Sequence, residues 1–105
     1  MNEEEAWAIL AQELREWRGR PYAALAAAVG DSWHAEVIAP SGARSQLEVN
    51  AVWDDRAGRN VRVIGSIDDG GLRAFVPLSD DFIVAPDGHF VGEQRRGNEG
   101  ERLSP

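Results

Sequence analysis

At Ser32 the spacing of apolar residues changes from three-and-four to two, which dictates a chain that is helical first and extended afterwards. Upstream, Trp7, Leu10, Ala11, Leu14 and Trp17 mark one stripe of an amphipathic helix. Asn2, with Glu5 three residues on, resembles a capping box. Glu3, Glu4 and Glu5 fall in the first turn, where the helix dipole favours negative charge, and Gly19 is a stop. Pro21 suits the start of a second helix. Tyr22, Leu25, Ala26 and Val29 form the stripe of that helix, and Gly30 ends it.

Downstream the alternation predicts strands separated by turn signals. Trp33, Ala35, Val37 and Ala39 share one face, and "PSGA" follows as a turn. Leu47, Val49, Ala51 and Trp53 repeat the pattern, with "DDRAGRN" as the next corner. Val61, Val63, Gly65 and Ile67 lead into "DDGG", and Leu72, Ala74 and Val76 predict a fourth strand ended by Pro77. "FIVAPDGHFV" then reads as a small hairpin, Phe82–Ala85 against His89–Val91, around a type I turn. The expected fold is α+β: two N-terminal helices packed on an antiparallel β-meander of four main strands, plus a short C-terminal hairpin. Residues 1–92 make one domain, and 93–105 form a charged tail for which disorder is expected.

Helices that precede a meander cover one of its faces. The other pleat carries Ile38, Val52 and Ile64 beside Glu48, Asn50 and Arg62, more apolar than a fully solvated face requires. Ile38, Val52, Ile64 and Arg62 are therefore the expected interaction face. All four tryptophans lie on the predicted inner stripes and are expected in the core, unless one serves as an interface anchor.

Charge narrows the partners. The formal net charge is -7 and the 11 basic residues, all arginine, are scattered, whereas a nucleic-acid partner needs clustered cations. An acidic surface suits solubility or a basic protein partner. The acidic start "MNEEEAWAIL" lacks the basic region and apolar run of a secretory leader, and "AALAAAV" is too short to span a bilayer. With no cysteine, a reducing cytoplasm is the expected location, without membrane contact.

Three aspartate pairs, Asp54–Asp55, Asp68–Asp69 and Asp80–Asp81, stand at predicted strand ends. Aspartate and glycine favour turns, so hairpin corners explain them. The alternative is a weak Ca²⁺ or Mg²⁺ site where corners gather at one end of the sheet. "DDGGLRAFVPLS" lacks the twelfth-position glutamate of an EF-hand loop. His34 and His89 have no zinc spacing, His89 with Asp87 could orient a base, and neither a nucleophile elbow nor a phosphate loop accompanies them. No catalytic set is recognisable, and no cofactor is expected.

"WDD", "SIDDGG", "FVPLSDDFI" and "PDGHFVGE" together resemble a family of small bacterial proteins of unknown function, over roughly residues 33–93. The resemblance implies no activity and no site residues. The expected function is a non-catalytic protein-interaction module, either a homodimer or an immunity- or inhibitor-like binder of a basic partner. The alternative is a metal- or small-ligand-binding protein that uses the aspartate-rich corners.

Overall fold

The computed structural model describes residues 3–68 and 78–92. Helix α1 spans Glu3–Arg18 and α2 spans Tyr22–Ala27; four strands follow, β1 Ser32–Ile38, β2 Arg44–Trp53, β3 Val61–Asp68 and β4 Leu78–Val84. The strands form one antiparallel sheet in the order β1-β2-β3-β4. The fold is the α+β meander expected.

The helices lie on one face of the sheet. α1 packs over β3 and β4, and α2 over β2 and β3. Ala6, Leu10, Leu14 and Trp17 are the buried stripe of α1. They meet Leu47, Val49 and Ala51 of β2, Val61, Val63 and Ile67 of β3, and Phe82 and Val84 of β4. Every second residue of β3 is buried, the alternation that a half-covered pleat demands.

One position sets the approach of helix to sheet. Gly65 faces α1, and a Cβ built there would lie 3.0 Å from both Leu10 Cδ1 and Leu14 Cδ2. The missing side chain leaves room for two leucines to settle on the β3 backbone. α2 is held by different means: Leu25 is buried beneath it, and the Tyr22 hydroxyl donates to the Arg59 carbonyl at 2.5 Å. Gly30, at φ 95°, turns the chain out of α2, and its amide donates to the Ala51 carbonyl at 3.1 Å.

The structure departs from expectation in several places. Trp7 is 41% exposed and Ala11 is exposed, so the buried stripe of α1 begins at Ala6, one position round the helix from the predicted one. Trp33 is 38% exposed, because neither helix lies squarely over β1. Asp80 and Asp81 sit inside β4, opposite Gly65 and Ile64, not at a strand end. The expected fourth strand at 72–76, the "DDGG" corner after Asp68, the Asn2 cap and the charged tail lie outside the described residues.

The observed β4 instead contains the first arm of the expected hairpin, extended backwards to Leu78. That hairpin is present. Gly88 donates to the Ala85 carbonyl at 2.8 Å, Ala85 donates to the His89 carbonyl at 2.9 Å, and Phe90 bridges Val84. Phe90 also packs edge-on against Phe82, centroids 5.7 Å apart, and the Arg18 guanidinium lies over both rings.

Two substitutions test this packing by denaturant unfolding. Gly65→Val should destabilise by roughly 1–3 kcal/mol, because the two leucines must move. Leu47→Ala should cost roughly 2–5 kcal/mol as an emptied core site. A Gly65→Val protein as stable as the parent would show that α1 does not rest on β3.

Candidate interaction surface

The face of the sheet away from the helices carries the expected interaction residues. Its rows follow from the register. Val52, Arg62 and Ile83 lie side by side across β2, β3 and β4, and the next row holds Asn50, Ile64 and Asp81. Beyond them lie Glu48 and Ser66, then Gln46 and Asp68. Every residue of this face is half-buried or exposed, whereas the core is drawn from the opposite pleat.

Arg62 is the centre of the face. Its guanidinium donates to Asp54 Oδ1 through Nε at 3.1 Å and Nη2 at 2.9 Å, and to Asp81 through Nη1. One planar donor fork therefore ties the corner after β2 to the middle of β4, across β3. The hydrogen bond to Asp54 is the largest influence on the guanidinium pKa, which lies above its ordinary value; partial burial opposes it and Asp81 reinforces it. Val52, 39% exposed, and the half-buried Ile64 and Ile83 surround the fork.

The expected residues fall into two groups. Val52, Ile64 and Arg62 come together. Ile38, 62% exposed, does not join them: it pairs with Arg44, eight residues along β2 from Val52, or about 26 Å at ~3.3 Å per residue. Ile83 belongs to the patch as well. Sequence reasoning places it in a separate hairpin, not in a strand beside β3, and so misses it. The signal lies in "LSDDFIV", where Leu78, Phe82 and Val84 share one pleat and Ile83 takes the other.

The face is acidic overall. Its strand residues include Glu36, Glu48, Asp68 and Asp81 against Arg44 and Arg62. Both arginines are held by carboxylates, Arg44 by Glu36 at 2.9 Å and Arg62 as above.

The aspartates are dispersed. Asp54 and Asp81 share Arg62, Asp55 is exposed in the corner, Asp68 stands at the opposite end of β3, and Asp80 accepts from the Asp81 amide at 2.9 Å. Asp69 lies outside the described residues. Among the described residues no three His, Asp or Glu side chains are grouped closely enough to share a metal ion. The space between Asp54 and Asp81 is filled by the Arg62 guanidinium.

The two histidines are far apart in role. His34 is exposed on the edge strand β1. His89 sits in the hairpin turn, its Nδ1 2.7 Å from Asp87 Oδ1, and its amide donates to the same oxygen at 3.1 Å. That amide, followed by the imidazole, lowers the Asp87 pKa from its ordinary value. The pair is exposed, and no hydroxyl nucleophile is bonded to it among the described residues.

Comparison of the chain with family models, with curated proteins and with solved structures found no match.

Three measurements check this geometry. Arg62→Met should lower stability by about 1 kcal/mol, since two partly screened carboxylates lose their shared partner. Millimolar Mg²⁺ or Ca²⁺ should leave the melting temperature unchanged, whereas an ion bound at a hundred times its Kd would add ~2.7 kcal/mol. A saturable rise abolished by Asp68→Asn would establish a cation site. By carbon NMR, Asp87 should titrate below the ordinary carboxylate range. The stability linked to it is full above the unfolded-state pKa and is lost as pH falls through the lowered folded value. His89→Ala removes only the imidazole, so Asp87 should recover part of its shift and keep the part due to the backbone amide.

Proposed function

We propose that the chain is a non-catalytic protein-interaction module, acting in the cytoplasm, whose outer sheet face engages a basic protein partner. One observation carries the reading: the helices cover a single face of the sheet, and the other presents Val52, Ile64 and Ile83 around Arg62 within an acidic surround. An apolar centre rimmed by charge is the usual anatomy of a protein contact. Because Arg62 is already bridged by Asp54 and Asp81, it is a preorganised part of the surface and loses little side-chain freedom on binding. Carboxylates in excess over guanidiniums favour encounter with a positively charged partner and penalise an acidic one. Among the described residues no helix is long and apolar enough to cross a membrane.

Affinity capture from a native-host extract tests the proposal, with the parent chain and a Val52→Arg/Ile64→Arg variant as parallel baits. The parent should retain a basic protein that elutes with rising salt, and the variant should lose it while unfolding at a similar denaturant concentration. Retention of the same proteins by both baits would remove the outer face as the contact surface.

A further inference from the structure

The sheet has two edge strands, and they are finished differently. At β4 the Val91 amide donates to the Ile83 carbonyl at 2.8 Å and Phe90 bridges Val84, so part of that edge is already paired. At β1 nothing among the described residues pairs with the outer edge. Which backbone groups point outward there follows from the hairpin. Ala39 donates to the Ala43 carbonyl at 2.8 Å, so Ala39 is a hydrogen-bonded position toward β2. Antiparallel pairing alternates, so Val37, Ala35 and Trp33 also bond inward to β2. The amides and carbonyls of Ser32, His34, Glu36 and Ile38 therefore point away from the sheet.

The apolar side chains beside this open edge are poorly covered. Trp33 is 38% exposed and touches the domain edge-on through Trp17, centroids 6.2 Å apart. Further along, β1 and α1 leave a groove of about 390 Å³, where Ile9, Val37 and Leu47 are lined up with Glu5, Gln12 and Glu13. The exposed indole and the groove lie toward opposite ends of β1.

We propose that two copies of this chain associate through β1, their open edges pairing antiparallel about a two-fold axis through Ala35 and joining two four-stranded sheets into one. The self-complementarity of "SWHAEVI" selects this register. Centred on Ala35, His34 faces the second copy's Glu36, and Trp33 faces the second copy's Val37. The outward-pointing residues 34 and 36 then exchange both backbone hydrogen bonds, as an antiparallel hydrogen-bonded pair requires. Residues 33, 35 and 37 fall at the closer, non-hydrogen-bonded positions, about 4.5 Å apart at Cα, where a small residue suits the axis. Alanine stands there.

The neighbouring symmetric registers are disfavoured. An axis at Glu36 sets Glu36 against Glu36, like charges that only their own Arg44 partners offset, and takes His34 away from the second copy's carboxylate. An axis at His34 sets imidazole against imidazole, so each forgoes its carboxylate partner. The axis through Ala35 is perpendicular to the sheet, so both helical layers stay on the same side. Each Trp33 is carried to the other copy's Val37, beside the groove. An isologous contact of this kind closes on itself, and so ends the risk that an open edge presents.

The β1 edge is a different surface from the outer face, and sedimentation of variants separates the two. Sedimentation of the parent chain should give a dimer. His34→Glu places a carboxylate at position 34, directly opposite the second copy's Glu36. Glu36→Lys places an ammonium at position 36, opposite the second copy's His34, where the imidazole no longer meets an acceptor. Each variant alone should sediment at half the parent mass. An equimolar mixture should return to the dimer. There the new carboxylate of one variant meets the new ammonium of the other, and the remaining His34 and Glu36 meet each other. Glu36→Pro, which removes an outward amide and leaves the bonds to β2, should also be monomeric. Far-UV circular dichroism and unfolding of each variant confirm that the monomers are folded. Val52→Arg/Ile64→Arg should remain dimeric. A monomeric parent chain, or a dimer that persists in both single variants, would overturn the β1 pairing and leave the outer-face reading standing.

Discussion

The close approach of α1 to β3 at Gly65 is the contact on which the rest of the structure depends. Leu10 and Leu14 reach within 3.0 Å of where a Cβ would stand, so the helix rests on backbone as well as on side chains. That contact lies over the β3–β4 half of the sheet, and it determines which strands are covered. A helix seated there leaves β1 only half shielded, and Trp33 and Val37 half out of the core. The short α2 cannot make up the difference. Its six residues cover β2 and β3, and it is anchored largely by Leu25 and by the Tyr22 link to the corner after β2.

This one-sidedness links the fold to its surfaces. A sheet with both faces buried would need a second layer, and the described residues, whose two helices both lie on one face, do not provide one. The outer pleat must therefore be solvated, partnered or compromised between the two. It is mainly polar, with an apolar centre around Arg62, which is a composition that tolerates water and can still give it up. The surface at the β1 edge is of another kind. Its recognition groups are backbone amides and carbonyls, whose direction is fixed by the pairing with β2.

Much of the fold was legible because period is a strong signal. The switch at Ser32, the turn residues and the alternation in β2 and β3 place three strands and their inner faces correctly. The errors come from places where period is ambiguous. In α1, Trp7 and Ala6 are adjacent, and hydrophobicity favours tryptophan; the geometry of approach to Gly65 puts the small residue inside and the large ring out. In β4, "LSDD" reads as a corner because paired aspartates favour turns, yet Asp81 is stabilised within a strand by Arg62, a residue 19 positions away. No local rule contains that partner. The candidate face was half legible for the same reason: Val52, Ile64 and Arg62 follow from pleat parity, while their separation from Ile38 and their contact with Ile83 depend on register and strand order.

Arg62 has a consequence beyond surface charge. It reaches one carboxylate on each side, Asp54 beyond β2 and Asp81 in β4. Pleat parity makes that arrangement intolerant of slippage: sliding β4 by one residue would carry Asp81 through to the helical side and bring Asp80 or Phe82 to the guanidinium. A slip of two residues would keep parity but replace the carboxylate with Ser79 or Ile83. The fork thus acts as a proofreading device for strand alignment. It rejects the slips of two residues, which keep parity, while the slip that would bring Asp80 to the guanidinium is rejected by the pleat, since it turns Phe82 and Val84 out of the core.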